Sequence, residues 1–159
     1  MSHEVLTIQI SYNLGALKRN LGGISHAESL VQPEPAGNCL NWIVGHILAN
    51  RAGMLALIGQ DDVWIDSEAE PYKRGSLPLA EGRDAKDLDE LVEMLEVSQE
   101  RIQTALAQMS MDALQEQVPG EKDGTTIERV LAGLVFHEAY HVGETGISRR
   151  LLGHEGAIK

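Results

Sequence analysis

Residues 136 to 144 read FHEAYHVGE. His137 and His141 stand four apart with Glu138 beside the first, so the letters spell H-E-x-x-H, the string of helical zinc proteases. At about 100° per residue, Ile127, Val130, Leu134, His137, His141, Ser148 and Leu152 fall within one narrow arc of a helix, which is expected to face the core. Two imidazoles at i and i+4 can converge on one ion at about 2.0 to 2.1 Å. Two ligands alone rarely make a site, so a third must come from elsewhere in the chain. His46, set among Trp42, Ile43 and Ala49, is the candidate.

A plainer reading competes with this one. A histidine on an apolar face is commonly a core residue satisfied by hydrogen bonds. Three on buried faces would leave their ring nitrogens to be satisfied in a core unless a metal takes some of them. Spacing alone leaves both readings open. The protease reading fails on its surroundings. The extended protease signature needs a glycine where Glu144 stands and a histidine where Ile147 stands, and no strand precedes the motif to align a peptide. Glu138 lies about 80° from the mean direction of the two histidines. Glu144 is one turn beyond His141 on their own face, which makes it the candidate catalytic carboxylate, and Glu138 is expected to be a flanking residue in an ion pair. His3, His26 and His154 are expected in solvent, and Cys39 as a small buried residue near a helix start.

The elements that must position these residues are helical. Leu6, Ile10, Leu14, Leu17 and Leu21 predict a first helix over 3 to 21, stopped by Gly22-Gly23. A second, apolar around a wide arc as a central helix would be, runs from a cap at Asn38 to about Ile58, with Gly59 at its end. Residues 59 to 83 carry Pro71, Pro78 and several glycines and no sustained period, so they read as a long crossover able to cover one end of a bundle. Asp84 is the expected cap of a third helix reaching about residue 109, mildly interrupted by Ser98-Gln99. Thr125-x-x-Glu128 offers a capping box for a fourth, ending near Leu152 with Gly153 beyond. The expected architecture is an all-α four-helix bundle, one domain over residues 1 to 159. Its long crossover makes the second and third helices parallel, and the shorter links favour antiparallel neighbours.

Composition narrows the partners. Thirteen Lys+Arg against 24 Asp+Glu give a formal net charge of -11, which repels a phosphate backbone, so no nucleic acid is expected. The single cysteine excludes an intrachain disulfide and fits a reducing compartment, so the cytoplasm is expected. No basic start followed by an apolar run opens the chain, and the apolar stretch 39 to 58 is broken by Asn41, His46, Asn50 and Arg51. Neither secretion nor a membrane span is indicated.

Together, NWIVGHILAN in the second helix and HEAYHVGE in the fourth resemble the DinB-like (DNA-damage-inducible) family of four-helix-bundle metalloenzymes, and the likeness covers most of the chain. The resemblance implies a divalent metal held by His46, His137 and His141: zinc or nickel, with manganese or iron also associated with the fold. The family's last motif commonly ends H-x-G-Q, and Glu144 stands at the glutamine position. The resemblance further implies a homodimer acting on a small-molecule substrate, and kinship with S-transferases and isomerases that use mycothiol, bacillithiol or glutathione. On that reading the open positions of the metal would bind and deprotonate a low-molecular-weight thiol, or activate water for hydrolysis. Arg19, Lys73, Arg74 and Arg83 could meet carboxylates of such a thiol. The alternative is a stress-related bundle that binds metal or a ligand without turnover.

Overall fold

The computed structural model describes residues 3–79 and 85–158. In chain order the helices are α1 (His3–Leu21), α2 (His26–Ser29), α3 (Leu40–Leu57), α4 (Asp66–Ala69), α5 (Leu88–Gln108), α6 (Met111–Leu114) and α7 (Ile127–Leu151), with a 3-10 turn at Glu70–Tyr72. The four long helices form the expected bundle. Among the described residues the only extended pairing is an isolated bridge between Gln117 and Thr126.

Helix starts differ from expectation where packing or pairing overrides a capping signal. α3 is capped at Cys39, one residue after Asn38, and Cys39 makes no side-chain cap bond. Burial of Cys39 and Leu40 in the core sets this start. The expected box at Thr125 and Glu128 is replaced by Thr126, whose hydroxyl accepts from the Arg129 amide. Thr125 accepts instead from the Val118 amide, and the adjoining bridge keeps the chain extended until Thr126. α5 is capped by Asp87, whose side chain accepts from the Asp89 amide; Asp84 lies outside the described residues.

Two apolar clusters fill the bundle. One joins Leu17 and Leu21 to Leu40, Val44, Leu48, Leu91, Leu95 and Val142, and the other joins Leu6 and Ile10 to Met54, Leu55, Ile102, Leu106, Leu131 and Val135. Residue numbers rise from the first cluster to the second along α3 and α5 and fall along α1 and α7. α3 and α5 are therefore parallel, as the long crossover predicts, and α1 and α7 run the other way. The extensive sides of the bundle are α1 with α7, α7 with α3, α3 with α5 and α5 with α1. The helices joined by shorter links are antiparallel, but they stand across the diagonal rather than side by side.

α7 is turned relative to expectation. Its buried residues are Leu131, Val135, Glu138, Val142 and Thr145, and the first four each follow by one position a member of the expected core arc, Val130, Leu134, His137 and His141. One residue is about 100°. The core stripe thus carries a carboxylate, and the histidines sit on the flank toward α3.

That rotation is explained by an ion pair in the core. Arg51 of α3 (0% exposed) and Glu138 (1% exposed) meet in a fork, Nε to Oε2 at 2.8 Å and Nη2 to Oε1 at 2.9 Å. The remaining guanidinium nitrogen donates to the Leu95 carbonyl at 2.9 Å and the Ser98 hydroxyl at 3.0 Å, so Ser98 is a buried partner and no interruption of α5. Glu138 is in an ion pair, as expected, but at the centre of the bundle rather than on a flank. Bidentate geometry is the strong form of such a pair, and removing one partner strands the other charge in the core.

The crossover lies along α3. Gly45 makes this possible, because a Cβ there would fall 2.1 Å from the Tyr72 ring. The Tyr72 hydroxyl donates to Asn41 Oδ1 at 3.1 Å and accepts from the Lys86 amide at 2.7 Å, tying the middle of the crossover and its far end to α3. No helix among the described residues is long and apolar enough to cross a membrane.

Arg51→Met or Glu138→Leu alone should cost about 3–5 kcal/mol in urea unfolding, and the double change should recover most of it. Single variants within about 1 kcal/mol of wild type would contradict the fork's role.

Candidate metal centre

His46 arrives on α3 and is held on both sides. Its Nδ1 donates to the Tyr72 carbonyl at 2.7 Å, and the Trp42 ring stacks on it with centroids 4.5 Å apart. A carbonyl only accepts, so the proton sits on Nδ1 and the lone pair on Nε2. The Asn50 amide, 3.2 Å away, donates to that lone pair and also to the His46 carbonyl at 2.8 Å. Trp42 is itself pinned, its indole donating to the Pro71 carbonyl at 3.1 Å and to Ser76 Oγ at 2.9 Å. Burial pushes the Tyr72 hydroxyl up to about 12, so it serves as a fixed hydrogen-bonding post rather than as an acid.

His137 and His141 arrive on α7 with their Nε2 atoms 3.1 Å apart. Nδ1 of His141 donates to Glu144 Oε2 at 2.7 Å. This carboxylate pairing sets the tautomer and leaves Nε2 of His141 facing the other rings. The His137 ring lies 5.3 Å and the His141 ring 4.8 Å from His46, centroid to centroid, both edge-on. Nδ1 of His137 is enclosed with no partner among the described residues.

One ligand atom from each of His46, His137 and His141 lies within 4.8 Å of the others. Imidazole nitrogens on one tetrahedral zinc would be about 3.4 Å apart, given bonds of about 2.0 to 2.1 Å. The cluster therefore fits an ion with small side-chain adjustments. The outer shell fits as well, since Tyr72 and Glu144 fix two of the three rings in the tautomer that ligation needs. Burial lowers the pKa of His46, with the charge of His141 adding to it and the Tyr72 carbonyl opposing. Burial also lowers that of His137, followed by His141, His46 and Arg74. Both rings thus favour the neutral, ligating form.

The other expected residues divide. Glu138 is committed to Arg51 and takes no part in the cluster. Glu144 touches it through His141, and its side chain is 36% exposed. Cys39 is buried, and burial pushes its thiol up, as expected of a small apolar-like residue. His26 and His154 are not simply solvated: the first accepts from the Leu88 amide at 3.3 Å and the second pairs with Glu28 at 2.9 Å. Arg19, Lys73 and Arg74 are exposed, and Arg83 lies outside the described residues. Sequence reasoning missed Trp42, Gly45, Asn50 and Tyr72 as parts of the site. For Asn50 the signal was present, a polar residue four after His46 in a largely apolar helix.

Fold and cluster together define a helical-bundle protein with a three-histidine group able to hold a metal ion. The DinB superfamily model matches residues 10–145, and the chain belongs to that superfamily. It is also similar to a crystal structure described as a conserved protein from Enterococcus faecalis, with a TM-score of 0.75 and 16% identity, over 96% of this chain and 98% of that one. At that identity the likeness speaks for the fold alone. No curated protein matches the chain.

Glu144→Ala should weaken metal binding about 10- to 100-fold in a competitive titration, and Glu144→Gln should keep most of it because the amide oxygen accepts the same bond. Unchanged affinity in the alanine variant would contradict this role. For the metal-free protein the sign of pH dependence follows from the lowered histidines. The unfolded chain takes up protons near pH 6.5 before the folded one does, so stability falls as pH drops through that value. The melting temperature should decline from pH 7.5 to 5.5, less steeply in His46→Gln, and a flat or rising profile would contradict the assignment.

Proposed function

We propose that this protein is a metal-dependent enzyme of the thiol S-transferase type, cytoplasmic and working as a single helical domain. The observation that carries this reading is the convergence of three imidazoles on one point, two of them already oriented by Tyr72 and Glu144. A divalent ion, zinc or nickel by donor type, would supply a Lewis acid that lowers the pKa of a low-molecular-weight thiol, or of water in a hydrolase.

The chain's own residues do the rest. His46 is buried beneath the crossover, and the pair on α7 is half-buried. Tyr72 and Trp42 hold His46 against rotation, so the group assembles with little reorganisation. Glu144 accepts from His141 through Oε2, and Oε1 has no partner among the described residues. That second oxygen is the proton acceptor we assign to the incoming thiol. The buried, lone Cys39 supports a reducing compartment, and the net charge of -11 argues against nucleic acid. Exposed Phe136, Tyr140, Ile147 and Leu151 on the outer side of α7 support a homodimer.

The test is metal content of untagged protein with a screen of thiol-dependent transfer to small electrophiles. Near one ion per chain is expected, and His46→Ala, His137→Ala and His141→Ala should each abolish turnover while helicity persists. Turnover surviving all three changes would refute the assignment. Little metal even after reconstitution would make the histidines packing residues.

A further inference from the structure

The side of α7 turned away from the histidines carries a second hollow. Ala139, Gly143, Gly146 and Arg150 lie about 140–180° around the helix from His141. They line a cavity of about 280 Å³, bounded also by Asn20 of α1 and by residues 156–158 of the C-terminal tail. Arg149 fastens that tail, donating to the Glu155 carbonyl at 2.6 Å and to the carbonyls of Asn20 at 3.0 Å and Gly22 at 2.6 Å. No metal-site residue lines this cavity.

One polar group in the hollow is buried and only half used. Asn20 is 4% exposed, and its Nδ2 donates to the Thr145 hydroxyl at 3.0 Å and the Val142 carbonyl at 3.4 Å. A carbonyl only accepts, and the Thr145 hydroxyl spends its own proton on the Val142 carbonyl at 2.7 Å, so both contacts require nitrogen on that side of the amide. Oδ1 is left without a partner among the described residues. Gly146 keeps the space beside it clear, since a Cβ there would lie 3.7 Å from Oδ1. A buried acceptor held in one orientation at a cavity calls for a donor.

The same lining supplies a positive charge. Arg150 has no hydrogen-bond or ion-pair partner among the described residues. Its guanidinium packs on bare backbone at Gly156, where a Cβ would fall 2.9 Å from Nη2. Gly146 and Arg150 are one turn apart, about 6 Å along the axis, a length that an α-amino acid bridges with one hydrogen bond at each end.

We propose that this hollow is a second binding site, for a small apolar α-amino acid. Its carboxylate meets the Arg150 fork, its ammonium donates to Asn20 Oδ1, and its side chain lies against Ala139, Val142 and Ile158. The site is independent of the metal reading, because it uses neither the histidines nor Glu144.

The test titrates full-length protein with L-valine, by calorimetry and by the amide shifts of Gly143, Gly146 and Gly156. L-Valinamide and isovalerate serve as probes that lack the carboxylate and the ammonium. L-Valine should saturate with a dissociation constant of roughly 1 mM or tighter, and each truncated probe should bind about tenfold more weakly, the scale of one charge-assisted bond. Arg150→Gln, an exposed change, should bring L-valine level with L-valinamide. Gly143→Leu separates filling from unfolding, because a Cβ there meets nothing within 4 Å and leucine favours a helix. It should hold or raise the melting temperature and abolish binding. No saturable response to L-valine, equal binding of all three probes, or L-valine affinity that survives either substitution overturns the proposal.

Discussion

The bundle is organised around one buried charge pair. Arg51 and Glu138 are fully enclosed, and all three guanidinium nitrogens are engaged, by the carboxylate, the Leu95 carbonyl and the Ser98 hydroxyl. Such an arrangement has few alternatives. A slide of α7 along α3 by one turn, about 5.4 Å, would strand both charges in the core, so the pair acts as a register pin between two helices whose apolar surfaces alone would tolerate neighbouring registers. Because His137 precedes Glu138 directly and His46 lies five residues before Arg51, the pin also fixes the height at which the three imidazoles meet.

The second constraint is the crossover. Gly45, with no side chain, lets the Tyr72 ring lie directly on α3, and the Tyr72 carbonyl then meets His46 one residue further along. Trp42 fills the space between ring and turn and is bonded to both ends of the clasp. Fixing a histidine through its outer nitrogen is how proteins orient metal ligands, and this chain does it with a backbone carbonyl of the crossover for His46 and a carboxylate of α7 for His141. The segment that looks irregular in the sequence thus supplies the polar contacts that hold Trp42 and His46.

Much of this was legible in the residues. Hydrophobic spacing placed α1 at residues 3 to 21, and the length of the crossover implied the parallel α3 and α5. The i, i+4 spacing of His137 and His141, with His46 on another apolar helix, named the three residues that the structure groups. The rotation of α7 was not legible, because a periodicity argument counts apolar residues and treats a glutamate as surface. Glu138 is in the core only because Arg51 is, and that pairing spans two distant segments. A lone arginine in the apolar run of α3 was the available sign that a buried partner existed elsewhere. The clasp was hidden for a similar reason: a bond from a backbone carbonyl has no residue-type signature. At Thr125 and Asn38 the sequence offered plausible caps, but a local bridge and core burial moved each start by one residue.

The central claim is that the Arg51–Glu138 register brings three imidazoles onto one ion. X-ray absorption at the zinc edge, on protein reconstituted with one equivalent of zinc, tests it most directly. The account predicts three imidazole nitrogens at about 2.0 to 2.1 Å with a lighter donor completing the shell. Two imidazoles or fewer, or a sulfur in the first shell from Cys39, would contradict it.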